Sequence, residues 1–284
     1  MNKQDVYIKR MQSTALYLRE NFNTTFEIKK LEEVSNFSYR NLQRIFKGYY
    51  KETIGAYVTR LKIESGAKML LYQNQTISQI AIKVGYSDLQ AFSKAFKKHF
   101  GISPQEYKSK KEDILTSIVK NTKVAMSFYE EKIINLPEQK VFYKTIMADY
   151  YSDQIEEVWD ELHEEAVRLE IDISTSESIG IIWDEPLISE AIRCNYDACF
   201  ALPQSCDFKN KFSVKILPEQ TYAVFTHYGA YGLLQHTYDK IFGNWILNTQ
   251  YEVSESPFLE LYKVNSTHSD DPKEYVTEIY IPIK

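Results

Sequence analysis

Two stretches in the first 110 residues share one pattern, and that pattern leaves few folds open. One runs Ser38-Tyr39-Arg40-Asn41-Leu42-Gln43-Arg44-Ile45-Phe46-Lys47, the other Asp88-Leu89-Gln90-Ala91-Phe92-Ser93-Lys94-Ala95-Phe96-Lys97-Lys98. At helical spacing each has an apolar face (Leu42, Ile45, Phe46; Phe92, Ala95, Phe96) and a basic, amide-bearing face (Arg40, Gln43, Arg44, Lys47; Gln90, Lys94, Lys97). A helix buried on one side and carrying Arg, Gln and Lys on the other suits the major groove of DNA.

The surrounding residues supply the rest of such a unit. Apolar positions recur at helical spacing at Tyr7, Met11, Ala15 and Leu18; at Ile28, Leu31 and Val34; from Tyr57 to Leu71; and at Ile77, Ile80, Ala81 and Val84. Thr76–Gln79 and Ser87–Gln90 fit a capping box, Ser103-Pro104 opens a further helix, and Gly85 suits a left-handed helix end. Residues 27–47 and 77–98 therefore each read as helix-turn-helix, joined by a long helix around 56–73. Two units in one chain can meet successive major-groove faces about 34 Å apart without a second copy.

Charge supports this division. Residues 1–111 hold 20 Lys and Arg against 9 Asp and Glu, a net +11; the remainder holds 14 against 30, a net −16. The first part can neutralise phosphates and the second would be repelled by them. No run of 18 apolar residues marks a membrane span, and no apolar segment near Met1 marks a secretory signal. Three cysteines (Cys194, Cys199, Cys206) without a Cys-x-x-Cys pair fit a reduced, cytoplasmic setting. The five histidines lack metal-ligand spacing, and no cofactor motif is present.

Residues 20–110 resemble the DNA-binding region of the AraC/XylS family. The resemblance is carried by Leu42-Gln43-Arg44-Ile45-Phe46-Lys47, Ile80-Ala81, Gly85-Tyr86, Phe92-Ser93, Phe96-Lys97 and Gly101-Ile102-Ser103-Pro104-x-x-Tyr107. It implies DNA contacts from Tyr39, Arg40, Gln43, Arg44 and Lys47 on the first recognition helix. On the second it implies Asp88, Leu89, Gln90, Ala91, Lys94, Lys97 and Lys98. Two positions depart from the family pattern: Lys51 stands where a glycine usually follows the first recognition helix, and Lys94 replaces a common arginine. A lysine lacks the planar fork for bidentate guanine contact, so Arg44, Arg40 and Gln43 are the better base readers.

After a linker at 112–125 the pattern changes to strand-like runs alternating with helix-like ones. Leu-Pro-Glu-Gln occurs at 136–139 and again at 217–220, an offset of 81 residues. Each copy leads into an apolar run, then a helix containing Trp159 or Tyr238, then two more strand candidates. The expected architecture is multidomain: an all-α double helix-turn-helix domain (1–111), then an α+β domain (126–284) made of a duplicated β-α-β-β unit. Helices would cover one side of an antiparallel sheet, with a cleft between the halves.

Residues 122–284 resemble the GyrI-like small-molecule-binding domain, through Leu136-Pro137-Glu138, Gly180–Pro186, Arg193-x-x-Tyr196-Asp197, Phe225-x-x-Tyr228-Gly229-x-Tyr231, Trp245, Phe258-x-Glu260-x-Tyr262 and Glu278–Pro282. In that family an aromatic-lined cleft receives hydrophobic, often cationic compounds, and a glutamate at the place of Glu260 is the charged contact. A carboxylate among rings attracts an organic cation by charge and by cation–π contact. The expected lining is Glu260, Tyr262, Trp183, Tyr143, Tyr228, Trp245 and Tyr280.

The combined expectation is a ligand-responsive transcription activator whose partners are double-stranded DNA, RNA polymerase and a small organic effector. Two alternatives stand beside it: a second domain that grips a protein partner, or a hydrolase using Glu260 and a nearby tyrosine. No catalytic triad, metal set or phosphate-cradling glycine loop supports the latter.

Overall fold

The computed structural model describes residues 3–117, 131–203 and 213–284. Contacts divide the chain into two compact units, residues 1–110 and 111–284.

The first unit is all helix: α1 (Lys3–Glu20), α2 (Ile28–Ser35), α3 (Tyr39–Tyr50), α4 (Ile54–Tyr72), α5 (Ile77–Lys83), α6 (Leu89–Phe100) and α7 (Pro104–Ser109). The pairs α2–α3 and α5–α6 are the two helix-turn-helix units, and α4 joins them. Local chemistry sets the ends. Thr53 caps α4 by accepting the Ala56 N–H, and Thr76 with Gln79 forms the full reciprocal box on α5. On α6 the cap is Asp88 rather than Ser87: its carboxylate accepts the Ala91 N–H at 2.7 Å, so the helix begins one residue later than the Ser87–Gln90 box implied. Gly85 has φ +83°, and a Cβ there would lie 2.4 Å from the Asn23 carbonyl oxygen, so no other residue fits this turn. Gly66 likewise lets the Phe92 ring lie on α4.

Lys51 caps α3 at φ 58°, the left-handed region, so the turn keeps the shape a glycine would give it and strains a lysine backbone instead. On α4, the almost fully buried Arg60 pairs with Glu52 (2.8 Å) and Glu64 (3.0 Å). Breaking one partner of such a buried network would strand a charge.

The second unit opens with α8 (Lys111–Ser117), whose Leu115 is fully buried. This helix occupies the start of the segment expected as a linker; residues 118–125 and Cys206 lie outside the described residues. The unit continues with β1 (Lys132–Leu136), β2 (Gln139–Met147), α9 (Gln154–Arg168), β3 (Ser178–Ile182) and β4 (Asn195–Ala201). The second repeat is β5 (Val214–Leu217), β6 (Gln220–Tyr228), α10 (Leu234–Lys240), a π turn at Ile241–Trp245, α11 (Ile246–Asn248), β7 (Phe258–Val264) and β8 (Val276–Pro282).

Each Leu-Pro-Glu-Gln copy is the break between two strands, because proline cannot donate to the ladder. The repeat therefore carries a short strand beyond the expected β-α-β-β. These short strands cross over, β1 pairing with β6 of the second repeat and β5 with β2 of the first. The sheet order is β1-β6-β8-β7-β3-β4-β2-β5, antiparallel throughout, with β3 and β7 at its centre.

Strand alternation gives the sheet two chemically distinct faces. One carries Val141, Ile179, Ile181, Cys199, Leu217, Tyr222, Val224, Leu259, Leu261 and Tyr280, with Ile134 and Leu136 against them. Every strand contributes to this one cluster, which requires the sheet to curl around it. The other face is covered by helices. There the Trp159 ring of α9 meets Phe200 at 5.6 Å, Lys144 pairs with Glu161 at 2.7 Å, and Trp245 meets Phe225 at 5.0 Å.

Candidate effector site and DNA-binding face

On α3, Leu42, Phe46 and Tyr50 are buried, while Arg40, Gln43, Arg44 and Lys47 stand exposed on the other side. Tyr39 is half-buried, and its backbone N–H is held by Glu32 at 2.6 Å. Arg44 donates to Asn41 at 3.0 Å, and together with Ser38 and Arg40 they line a shallow notch at the start of the helix. On α6, Phe92 and Phe96 are buried; Leu89, Gln90, Ala91, Lys94, Lys97 and Lys98 are exposed. Asp88 is exposed too, but its carboxylate serves the helix end. The Ala91 N–H, and then the Ser87 hydroxyl, hold its pKa below the usual carboxylate range. Each helix thus offers one basic, amide-bearing face.

In the second unit, β7 and β3 pair with Glu260 directly opposite Gly180, and Glu260 faces the helices. Glu260 is 7% exposed. Its Oε1 accepts the Tyr238 hydroxyl of α10 at 2.7 Å and its Oε2 accepts the Tyr262 hydroxyl at 2.6 Å. Tyr262 spends its proton on the carboxylate, so at 2.9 Å it accepts from Tyr196. Tyr196 in turn accepts the Trp159 indole N–H at 3.0 Å. This directed chain runs from α9 through β4 to β7 and ends on one carboxylate.

The missing side chain at Gly180 makes room for it. A Cβ there would sit 2.5 Å from the Tyr196 hydroxyl and 2.9 Å from that of Tyr262. The Tyr262 ring is flanked edge-on by Trp159 (5.6 Å) and Tyr231 (5.4 Å). Burial raises the Glu260 pKa, partly countered by the two hydroxyls. Burial, and then the charge of Glu260, pushes Tyr196, Tyr238 and Tyr262 well above the ordinary phenol value, so all three remain donors. Among the described residues Glu260 has no cationic partner. The arrangement is a desolvated carboxylate held by phenols and walled by rings.

The structure brings together Glu260 and Tyr262 of the expected lining and separates the rest. Tyr280 pairs with Leu259, not Glu260, so it lies on the opposite face of the sheet, as does Tyr143. Trp183 packs against that same apolar cluster and donates its indole N–H to Asp197. Tyr228 is 71% exposed at the end of β6. Trp245 is on the helical side, but it meets Phe225 edge-to-face and donates to Glu131. Tyr196, Tyr238, Trp159 and Gly180 take the vacant places. Of these, Tyr196 and Gly180 stood inside the resemblance motifs, while Trp159 and Tyr238 were visible only as helix residues.

Comparison with known proteins places both units. The GyrI-like small-molecule-binding domain model matches residues 130–284, and a helix-turn-helix domain model matches residues 31–110. The chain belongs to the GyrI-like family, joined to an AraC-type helix-turn-helix domain. Its relatives include PqrA of Proteus vulgaris, named a probable transcription factor, 34% identical over 86 residues that cover 30% of this chain and 70% of that protein. MarA of Salmonella typhimurium, a multiple antibiotic resistance protein, is 25% identical over 108 residues, covering 38% and 85%. Among solved structures, the EcmrR C-terminal domain aligns over 56% of this chain and 99% of its own length, at 17% identity and a TM-score of 0.48. The chain spans 59%, 34% and 33% of the first three curated relatives it matches.

Among the described residues no helix is long and apolar enough to cross a membrane, and no three His, Cys, Asp or Glu are placed to hold a metal ion.

Proposed function

We propose that this chain is a ligand-responsive transcription activator that reads DNA with α3 and α6 and senses a hydrophobic organic cation at Glu260. The observation that carries the sensing half is the buried Glu260 carboxylate, satisfied by phenol hydroxyls and lacking a cation among the described residues. Arg40, Gln43 and Arg44 read bases; Lys47, Lys94, Lys97 and Lys98 hold phosphates; Gln90 and Ala91 are the groove-facing positions of the second helix, and Asp88 orients that helix as its cap. Tyr262, Tyr238, Tyr196 and Trp159 surround the effector. An occupied site acts by favouring one conformation of the chain over another, and RNA polymerase is the partner that reads the change.

The test is fluorescence titration with benzyltrimethylammonium and larger aromatic quaternary ammonium ions, each beside an uncharged isostere, in wild type and Glu260→Gln. Saturable binding of the cations, lost in the variant, supports the reading. Equal binding of charged and neutral compounds, unchanged in Glu260→Gln, contradicts it.

A further inference from the structure

On the face of the sheet opposite Glu260 lies a second carboxylate that the function above does not use. Asp197, on β4, is 2% exposed. It accepts the Thr145 hydroxyl of β2 and the Trp183 indole N–H at its two oxygens, and an ammonium, that of Lys215, completes it. The Lys215 nitrogen also lies 4.3 Å from the centre of the Tyr143 ring and 5.0 Å from that of Trp183. An ammonium between two rings with a carboxylate behind it is how proteins recognise alkylammonium groups. Here the chain fills the box with its own side chain.

Two features distinguish this box from a closed core ion pair. Tyr143 and Trp183 are each partly exposed, while the Lys215 side chain is 10% exposed and that of Asp197 2%, so the carboxylate forms a floor and the rings form walls toward solvent. The lysine comes from β5, a four-residue edge strand whose ladder is to β2 alone. A lysine on a short edge strand can swing out without breaking the central sheet.

We infer that Asp197, Trp183 and Tyr143 form a second cation site, distinct from Glu260, which takes a primary ammonium on an alkyl chain in competition with Lys215. The indole N–H and the threonine hydroxyl fix the carboxylate, the rings exclude bulky quaternary groups, and the lysine sets the threshold concentration. The ammonium enters protonated and leaves protonated; no bond is made or broken.

The experiment is calorimetric titration of full-length Lys215→Ala with n-butylammonium, with Nα-acetyl-lysine amide, and with n-butanol as the uncharged control. The variant is expected to bind one or both amines saturably, at least roughly ten-fold more tightly than wild type, and to lose that binding on adding Asp197→Asn. Preference for n-butylammonium assigns the site to small free amines; preference for the lysine amide assigns it to a lysine carried on a peptide. No binding by a folded Lys215→Ala, or binding indifferent to Asp197→Asn, overturns the inference. Should Lys215→Ala fail to fold, wild type answers the same question. The sequence has three tryptophans, and the indole signal missing in Trp183→Phe should shift with n-butylammonium but not with n-butanol. Identical responses to both refute the site.

Discussion

Gly180→Ala is the smallest change that should disable the Glu260 site, and the structure sets its size. In an ordinary strand, alanine for glycine is favourable by about 0.5–1 kcal/mol, because glycine loses more chain entropy on folding. At this position the new methyl would meet the Tyr196 hydroxyl at 2.5 Å, the Tyr262 hydroxyl at 2.9 Å and Tyr196 Cε2 at 3.0 Å. Tyr196 cannot swing away: it is 2% exposed, and its hydroxyl is tied to Trp159 and Tyr262. Either the tyrosines part, or the strands do. Overpacking of this kind costs about 1–3 kcal/mol, and breaking the Tyr196–Tyr262 bond inside the core adds about 1–3 kcal/mol. Net of the entropy gain, Gly180→Ala should destabilise the second unit by about 1–5 kcal/mol, read as the midpoint of urea unfolding. Adding Tyr196→Phe removes the 2.5 Å contact and should recover part of the loss, giving a non-additive cycle. A neutral or stabilising Gly180→Ala, or strict additivity with Tyr196→Phe, would refute the packing described around Glu260.

Three further outcomes follow from the same reasoning. Lys51→Gly should stabilise the first unit by about 1 kcal/mol, since a left-handed φ of 58° strains any side chain with a Cβ and the bond lost, Lys51 to the Gly48 carbonyl, is exposed; no gain in urea unfolding would show the turn to be relaxed. Arg44→Ala should lower affinity for the specific site by about 1–3 kcal/mol and relax base preference, whereas Lys97→Ala should weaken specific and random DNA alike and flatten the salt dependence; equal effects from the two would make Arg44 a phosphate contact. Glu260 has its pKa raised by folding, so the folded state holds its proton to higher pH than the unfolded chain does. Stability is then full below the unfolded value and falls as pH rises through the raised one. Glu260→Gln should lack this fall, and aromatic cation binding should weaken as pH drops through the same window; a pH-independent difference between the two proteins contradicts the assignment.

What could be read without coordinates was what local spacing determines. The faces of α3 and α6 follow from a 3.6-residue period within twelve residues, and Gly85 announced its own turn. Glu260 and Tyr262, two apart on one strand, share a face whatever the strand pairs with. Tyr280, Trp183 and Tyr143 depend instead on the register between strands up to about 120 residues apart, which periodicity alone does not give. A one-residue change of pairing would have put Tyr280 beside Glu260; the observed pairing gives that place to Ile279. Tyr196, Tyr238 and Trp159 converge from a strand and two helices, so no contiguous pattern marked them. The short strands before each Leu-Pro-Glu-Gln were hidden for a similar reason: four or five residues carry too little alternation, and each finds its partner in the other repeat.

Occupation of the Glu260 site is proposed to change what the helix-turn-helix unit does. The most direct measurement is the affinity of the full-length protein for its own operator, at fixed salt, with and without a saturating aromatic cation, in wild type and Glu260→Gln. A cation-dependent change is expected in wild type and absent in the variant, with the matching change in cation affinity when DNA is added, as linkage requires. Unchanged operator affinity, together with proven cation binding at Glu260, would contradict it.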